Sequence, residues 1–168
     1  MYARALGVHD ERLDCRGHDP ASCAVHPDVL RNARSAGDIM TRAMRILYVD
    51  DDPDIRTIVE MSLSLDPEIE VHAFGSGAGA LEAIERDPWR PTAIILDYMM
   101  PEIDGVTLLS ALRCHPDFAQ TPAVFMTARG NDVIGPDLAP HGVAGVILKP
   151  FDPIELVDAV RALIAASG

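Results

Sequence analysis

The chain holds 168 residues, 48% of them apolar, which is enough for one domain with a core, and it carries a formal charge of −12. No apolar run reaches the roughly 18–20 residues of a helical membrane span, the N-terminus lacks the apolar stretch of a secretory signal, and the net negative charge argues against a binder of phosphate backbones. Three cysteines, Cys15, Cys23 and Cys114, are too few and odd in number for a disulfide framework, so a cytoplasmic location is expected.

Residues 1–43 balance six Arg against six Asp and Glu, contain Pro20 and Pro27, and show only a weak helical period in Leu30, Ala33, Met40 and Ala43. They read as a poorly ordered N-terminal extension, and Met44, which opens MRILYVDDD, is a candidate true start for a domain spanning 44–168. Within the extension, CRGHDPASCAVH sets Cys15, His18, Cys23 and His26 in two Cys-x-x-His pairs, which are zinc-type ligands. Their short middle spacing and the lack of core residues around them weigh against a zinc site.

From Met44 on, eight Lys and Arg stand against twenty Asp and Glu, so all of the net charge belongs to this part. The runs RILYV, IEVHAF, TAIILD, PAVFMT and AGVILK have strand length and alternate with helical patterns, which predicts a parallel α/β sheet. After the first strand, Asp52 and Pro53 supply a helix cap and a first-turn proline, and Ile55, Ile58, Val59 and Leu63 line one helical face. Trp89, in the turn DPWRP, reads as a packing residue. Asp104 and Gly105 read as helix-start geometry, and Cys114, near the end of the third helix, as an inert thiol. Between the fourth and fifth strands, RGNDVIGPDLAPHG contains Gly135, Pro136 and Pro140, so a helix there is expected to be short, broken or mobile. Asp152, Pro153 and Glu155 repeat the cap pattern with an acid three residues on, ahead of a last helix whose apolar face is Leu156, Val157, Val160, Leu163 and Ile164.

In an open parallel sheet the ligand site lies at the carboxyl ends of the strands. The first strand closes on Asp50 and Asp51, the third on Asp97, the fourth on Thr127 and the fifth on Lys149, the only lysine of the chain. Three carboxylates in one crevice resist ionising together unless a cation sits among them, and oxygen ligands with room for water suit Mg²⁺. A lysine ammonium and a threonine hydroxyl suit phosphoryl oxygens.

In that order and spacing, ILYVDDDPDIR, IILDYMMPEIDG, VFMTAR and VILKPF resemble the motif set of response-regulator receiver domains of two-component signalling, over residues 44–168. The resemblance implies a doubly wound, flavodoxin-like fold: a five-stranded parallel sheet in the order 2-1-3-4-5 with helices on both faces. It implies that Asp97 is the phosphoacceptor, that Asp51, Asp97 and the backbone carbonyl of Met99 bind Mg²⁺ directly, and that Asp50 acts on the metal through water. Thr127 and Lys149 would contact the phosphoryl oxygens, Ala128 would stay small to leave the approach open, and the Lys149–Pro150 bond would be cis.

The implied partners are a sensor histidine kinase or histidine phosphotransferase and a downstream protein target, with no nucleic acid, no membrane insertion, and a monomer or weak dimer. With no output domain after Gly168, a single-domain type acting by docking or phosphorelay is expected. It would catalyse its own phosphorylation and slow dephosphorylation without being a turnover enzyme. Two departures stand out. Val146 replaces the aromatic residue that many members carry three positions before the lysine, and Met99 and Arg129 flank the hydrolytic water's path without an acid or amide. A phosphatase with an aspartyl-phosphate intermediate would place a second Asp where Met99 stands, and a purely binding receiver-like domain would not need the complete acid set.

Overall fold

A computed structural model describes residues 43–86, 89–128, 138 and 141–167. The extension, with Cys15, His18, Cys23 and His26, and most of the proline-containing segment before the fifth strand, with Arg129, lie outside the described residues. Five strands, β1 (Met44–Val49), β2 (Ile69–Phe74), β3 (Ala93–Asp97), β4 (Ala123–Thr127) and β5 (Gly145–Leu148), form one parallel sheet in the order β2-β1-β3-β4-β5. The fold expected from the motifs is therefore the one found.

Burial on both faces explains why the strands read as near-continuous apolar runs, since alternate side chains leave opposite sides of a pleated strand. Leu47, Val49, Ile94, Leu96 and Phe125 face one side, where helices α2 (Gly77–Arg86) and α3 (Gly105–Arg113) cover them with Ala80, Ile84, Leu108, Leu109 and Leu112. Ile46, Tyr48, Ile95, Val124, Met126 and Ile147 face the other, beneath Val59 and Leu63 of α1 (Pro53–Leu63) and Leu156 and Val160 of α4 (Leu156–Ala166). Among the described residues no helix is long and apolar enough to cross a membrane.

Local signals are obeyed with two exceptions. The Asp52 carboxylate accepts from the backbone N–H groups of Asp54 and Ile55, and that of Asp104 accepts from Thr107 N at 2.7 Å, so both cap as expected. Trp89 packs as expected too, stacking on the His72 ring with centroids 4.0 Å apart while its indole N–H donates to Glu70. Asp152 does not open α4. Its carboxylate accepts from Ile154 N at 2.8 Å and closes only a turn over Pro153, and the helix begins at Leu156, where the chain first turns an apolar side chain into the core. On α1, Ile58 is 40% exposed and lies at the solvent border of its apolar face, because Val59 and Leu63 already fill the ground over β1. At the far end of the sheet, Arg161 of α4 binds Asp66 at 2.6 Å and Glu68 at 3.2 Å, tying α4 to the connection between α1 and β2.

Two positions between β3 and α3 are decided by backbone geometry. A Cβ on Gly105 would lie 2.2 Å from the carbonyl oxygen of Asp97 and 2.8 Å from the Phe125 ring, so no side chain fits where α3 abuts the end of β3. Glu102 sits at φ 66°, in a tight turn where Ile103 N donates to Pro101 O at 2.8 Å, although its side chain has no need of that left-handed region. Gly105→Ala is expected to cost about 2 kcal/mol through overpacking, lowering the thermal midpoint by roughly 8 °C. Glu102→Gly should move it the other way, by about 0.5–1 kcal/mol, the relieved left-handed strain being partly offset by glycine's freer unfolded chain. Thermal unfolding followed by circular dichroism of the two variants checks both signs.

Candidate functional site

The parallel register gathers the strand-end residues. Val49 is aligned with Leu96, so the residues that follow them, Asp50 and Asp97, leave neighbouring strands at one level. Thr127 is aligned with Leu148 on the other side, and Lys149 N donates to Thr127 O at 2.7 Å, which brings the lysine to the same rim. Asp50, Asp97 and Thr127 are buried, whereas Asp51 is exposed. The Lys149–Pro150 bond is cis, as expected.

Lys149 joins the two buried carboxylates, its ammonium donating to Asp50 Oδ2 at 2.6 Å and to Asp97 Oδ1 at 2.9 Å. The two acids are engaged to different degrees. Asp50 is fully held: Oδ1 accepts from Asp52 N at 3.0 Å, Oδ2 accepts from the Tyr48 hydroxyl at 2.8 Å as well as from Lys149, and its carbonyl accepts from Arg56 Nη1 at 2.8 Å. Among the described residues, Asp97 Oδ2 and both oxygens of Asp51 accept no hydrogen bond. Burial, and secondarily the charges of Asp50 and Asp51, push the Asp97 carboxyl above its ordinary range against the pull of Lys149. Burial works against the Lys149 ammonium as well, but its two carboxylate partners outweigh that and hold its pKa above the usual lysine value.

Asp50, Asp51 and Asp97 each offer an oxygen within 4.8 Å of the others. Three carboxylates and one ammonium leave a formal surplus of two negative charges, and the donors are all hard oxygens, so the cluster fits a divalent cation of the Mg²⁺ type. Met99 follows on the connection to α3 and is 56% exposed, and Ala128, after Thr127, is exposed and small. Val146 is half-buried against the cluster under α2 and α3, without an aromatic ring to turn.

Asp50, Asp51, Asp97 and Lys149 thus meet at one rim, and the strand register sets Thr127 at the same level. One site residue was missed. Tyr48 lies within an apolar run two residues before Asp50, and its hydroxyl gave no signal apart from the core pattern around it.

The model of the response regulator receiver domain matches residues 46–161. Among curated proteins the chain is 35% identical over 119 residues to the transcriptional regulatory protein SrrA of Staphylococcus aureus, a match covering 71% of this chain and 47% of that protein; the chain spans about half the length of this relative. Among solved structures it is similar to the chemotaxis response regulator CheY4 of Vibrio cholerae, with 28% identity and a TM-score of 0.64 over 71% of this chain and 97% of that one. It is also similar to the receiver domain of the sensor histidine kinase PA1611 of Pseudomonas aeruginosa, solved with a magnesium ion in its active-site cleft, at 25% identity and a TM-score of 0.62, covering 73% of this chain and 98% of that one. With its motif order, its sheet topology and the family match agreeing over the same stretch, the chain belongs to the response regulator receiver domain family.

Proposed function

We propose that Asp97 accepts a phosphoryl group from a phosphohistidine of a sensor histidine kinase or histidine phosphotransferase, in a Mg²⁺-dependent reaction in the cytoplasm, and that the phosphorylated domain signals by docking to a protein or by relaying the group onward. The observation that carries this reading is the asymmetry of the two buried acids: Asp97 keeps Oδ2 open, while Oδ1 is held by Lys149. An oxygen so presented can attack phosphorus in line with the departing imidazole.

Asp51, Asp97 and the Met99 carbonyl would hold the metal directly, with Asp50 acting through water. The free oxygens of Asp51 and the full hydrogen-bond complement of Asp50 support that division. A bound Mg²⁺ neutralises charge on the transferring group and offsets the repulsion among the carboxylates. Lys149 and the Thr127 hydroxyl take up phosphoryl oxygens, and the exposed Ala128 leaves the approach open. The domain acts on itself and does not turn over a substrate. Its twenty acids against eight cations favour protein partners over nucleic acid.

Incubating the full chain with acetyl phosphate is expected to yield an acid-stable, base-labile label that disappears with EDTA and in Asp97→Ala. A folded protein that takes no label overturns the reading. Met99 offers only a thioether to water near the acyl phosphate, so Met99→Asn, which supplies an amide able to orient that water, should shorten the label's lifetime severalfold. An unchanged decay rate counts against a role for this position.

A further inference from the structure

We propose that Tyr48 is a positioning residue of the phosphoacceptor site, keeping the buried Asp50 carboxylate satisfied when Lys149 leaves it for the phosphoryl group; the inference rests on the reading that Asp97 is phosphorylated. The Tyr48 ring is fully buried on β1, on the side of the sheet covered by α1 and α4, and its hydroxyl reaches past Val49 to donate to Asp50 Oδ2 at 2.8 Å. That oxygen is the one Lys149 binds at 2.6 Å.

Lys149 therefore serves two carboxylates with one ammonium. Phosphorylation of Asp97 adds phosphoryl oxygens that compete for that ammonium at close range. An Asp50 abandoned by Lys149 and left with Asp52 N alone would hold one oxygen without a protein donor on a fully buried residue, and an unsatisfied buried carboxylate is costly. The Tyr48 hydroxyl is a second donor to that oxygen, so the lysine can leave without orphaning it. Phenylalanine at this position would fill the same space and leave the lysine as the only neutraliser of Oδ2, which binds it more firmly to Asp50 and away from Asp97.

A hydroxyl that merely satisfies itself in the core predicts a different outcome from one that frees Lys149. The first lowers stability equally with and without a phosphoryl group. The second selectively weakens the phosphorylated form. The chain's single lysine makes the difference directly observable, because protein labelled with ¹³C-lysine shows one lysine side chain and needs no assignment.

In Mg²⁺, titration of the full chain with beryllofluoride, a mimic of the aspartyl phosphate, is expected to shift the Lys149 signal. In Tyr48→Phe that shift should require about tenfold more beryllofluoride, the size of one hydrogen bond to a charged group, with Mg²⁺ affinity in the absence of the mimic changed less than about threefold. Equal beryllofluoride midpoints in the two proteins overturn the role of Tyr48 while leaving the phosphoacceptor reading intact. A native protein whose lysine signal ignores beryllofluoride overturns both. Should the variant fold poorly, the native protein labelled at tyrosine Cζ decides the matter: a Tyr48 signal that moves with the Lys149 signal supports the proposal, and one that stays in place refutes it.

Discussion

Like charges brought together where water is scarce are the constraint on which this domain turns. The ends of a parallel sheet are open to chemistry because the chain leaves the strands there, but buried carboxylates on adjacent strands raise each other's proton affinity and oppose close approach. One ammonium between Asp50 and Asp97 relieves most of that opposition, and it reaches them only because β5 ends beside β4 in a register that carries Lys149 to the rim. The remaining surplus of negative charge suits a cation, and the oxygens that would hold one already lie together.

The rest of the fold serves to keep two of these groups still and two available. Asp50 is fixed at its side chain by Tyr48, Lys149 and the Asp52 amide and at its backbone by Arg56, so its carboxylate has one orientation. Asp97 is fixed from behind, where the missing side chain of Gly105 lets α3 press against its carbonyl. Asp51, by contrast, projects from the start of the turn with no partner among the described residues, and Asp97 keeps one oxygen free. Rigid neighbours around two open donors are what rapid, repeatable binding of a small, highly charged group requires.

Much of this is legible in the sequence itself. Five apolar runs separated by helical patterns specify a parallel sheet, and the residue closing each run names the site, because strand direction alone decides which end of the sheet it occupies. Asp50, Asp51, Asp97, Thr127 and Lys149 are therefore readable from the pattern. The start of α4 was not, since Asp152 and Pro153 carry the same cap chemistry as Asp52 and Pro53, and only the core contact of Leu156 distinguishes a turn from a helix. Tyr48 was hidden for a related reason. In an apolar run a tyrosine counts as bulk, and whether its hydroxyl finds a carboxylate depends on a side chain bending over its neighbour, which periodicity does not encode.

The pairing of Lys149 has a further chemical meaning. Amines react with acyl donors only in their neutral form, and the two carboxylates hold this one charged above the ordinary range for lysine. Acetyl phosphate, which carries both a transferable phosphoryl group and a transferable acetyl group, thus meets a carboxylate ready to take the first and an ammonium unfit to take the second. The ion pair that prepares the site thus also engages the only side-chain amine the protein has.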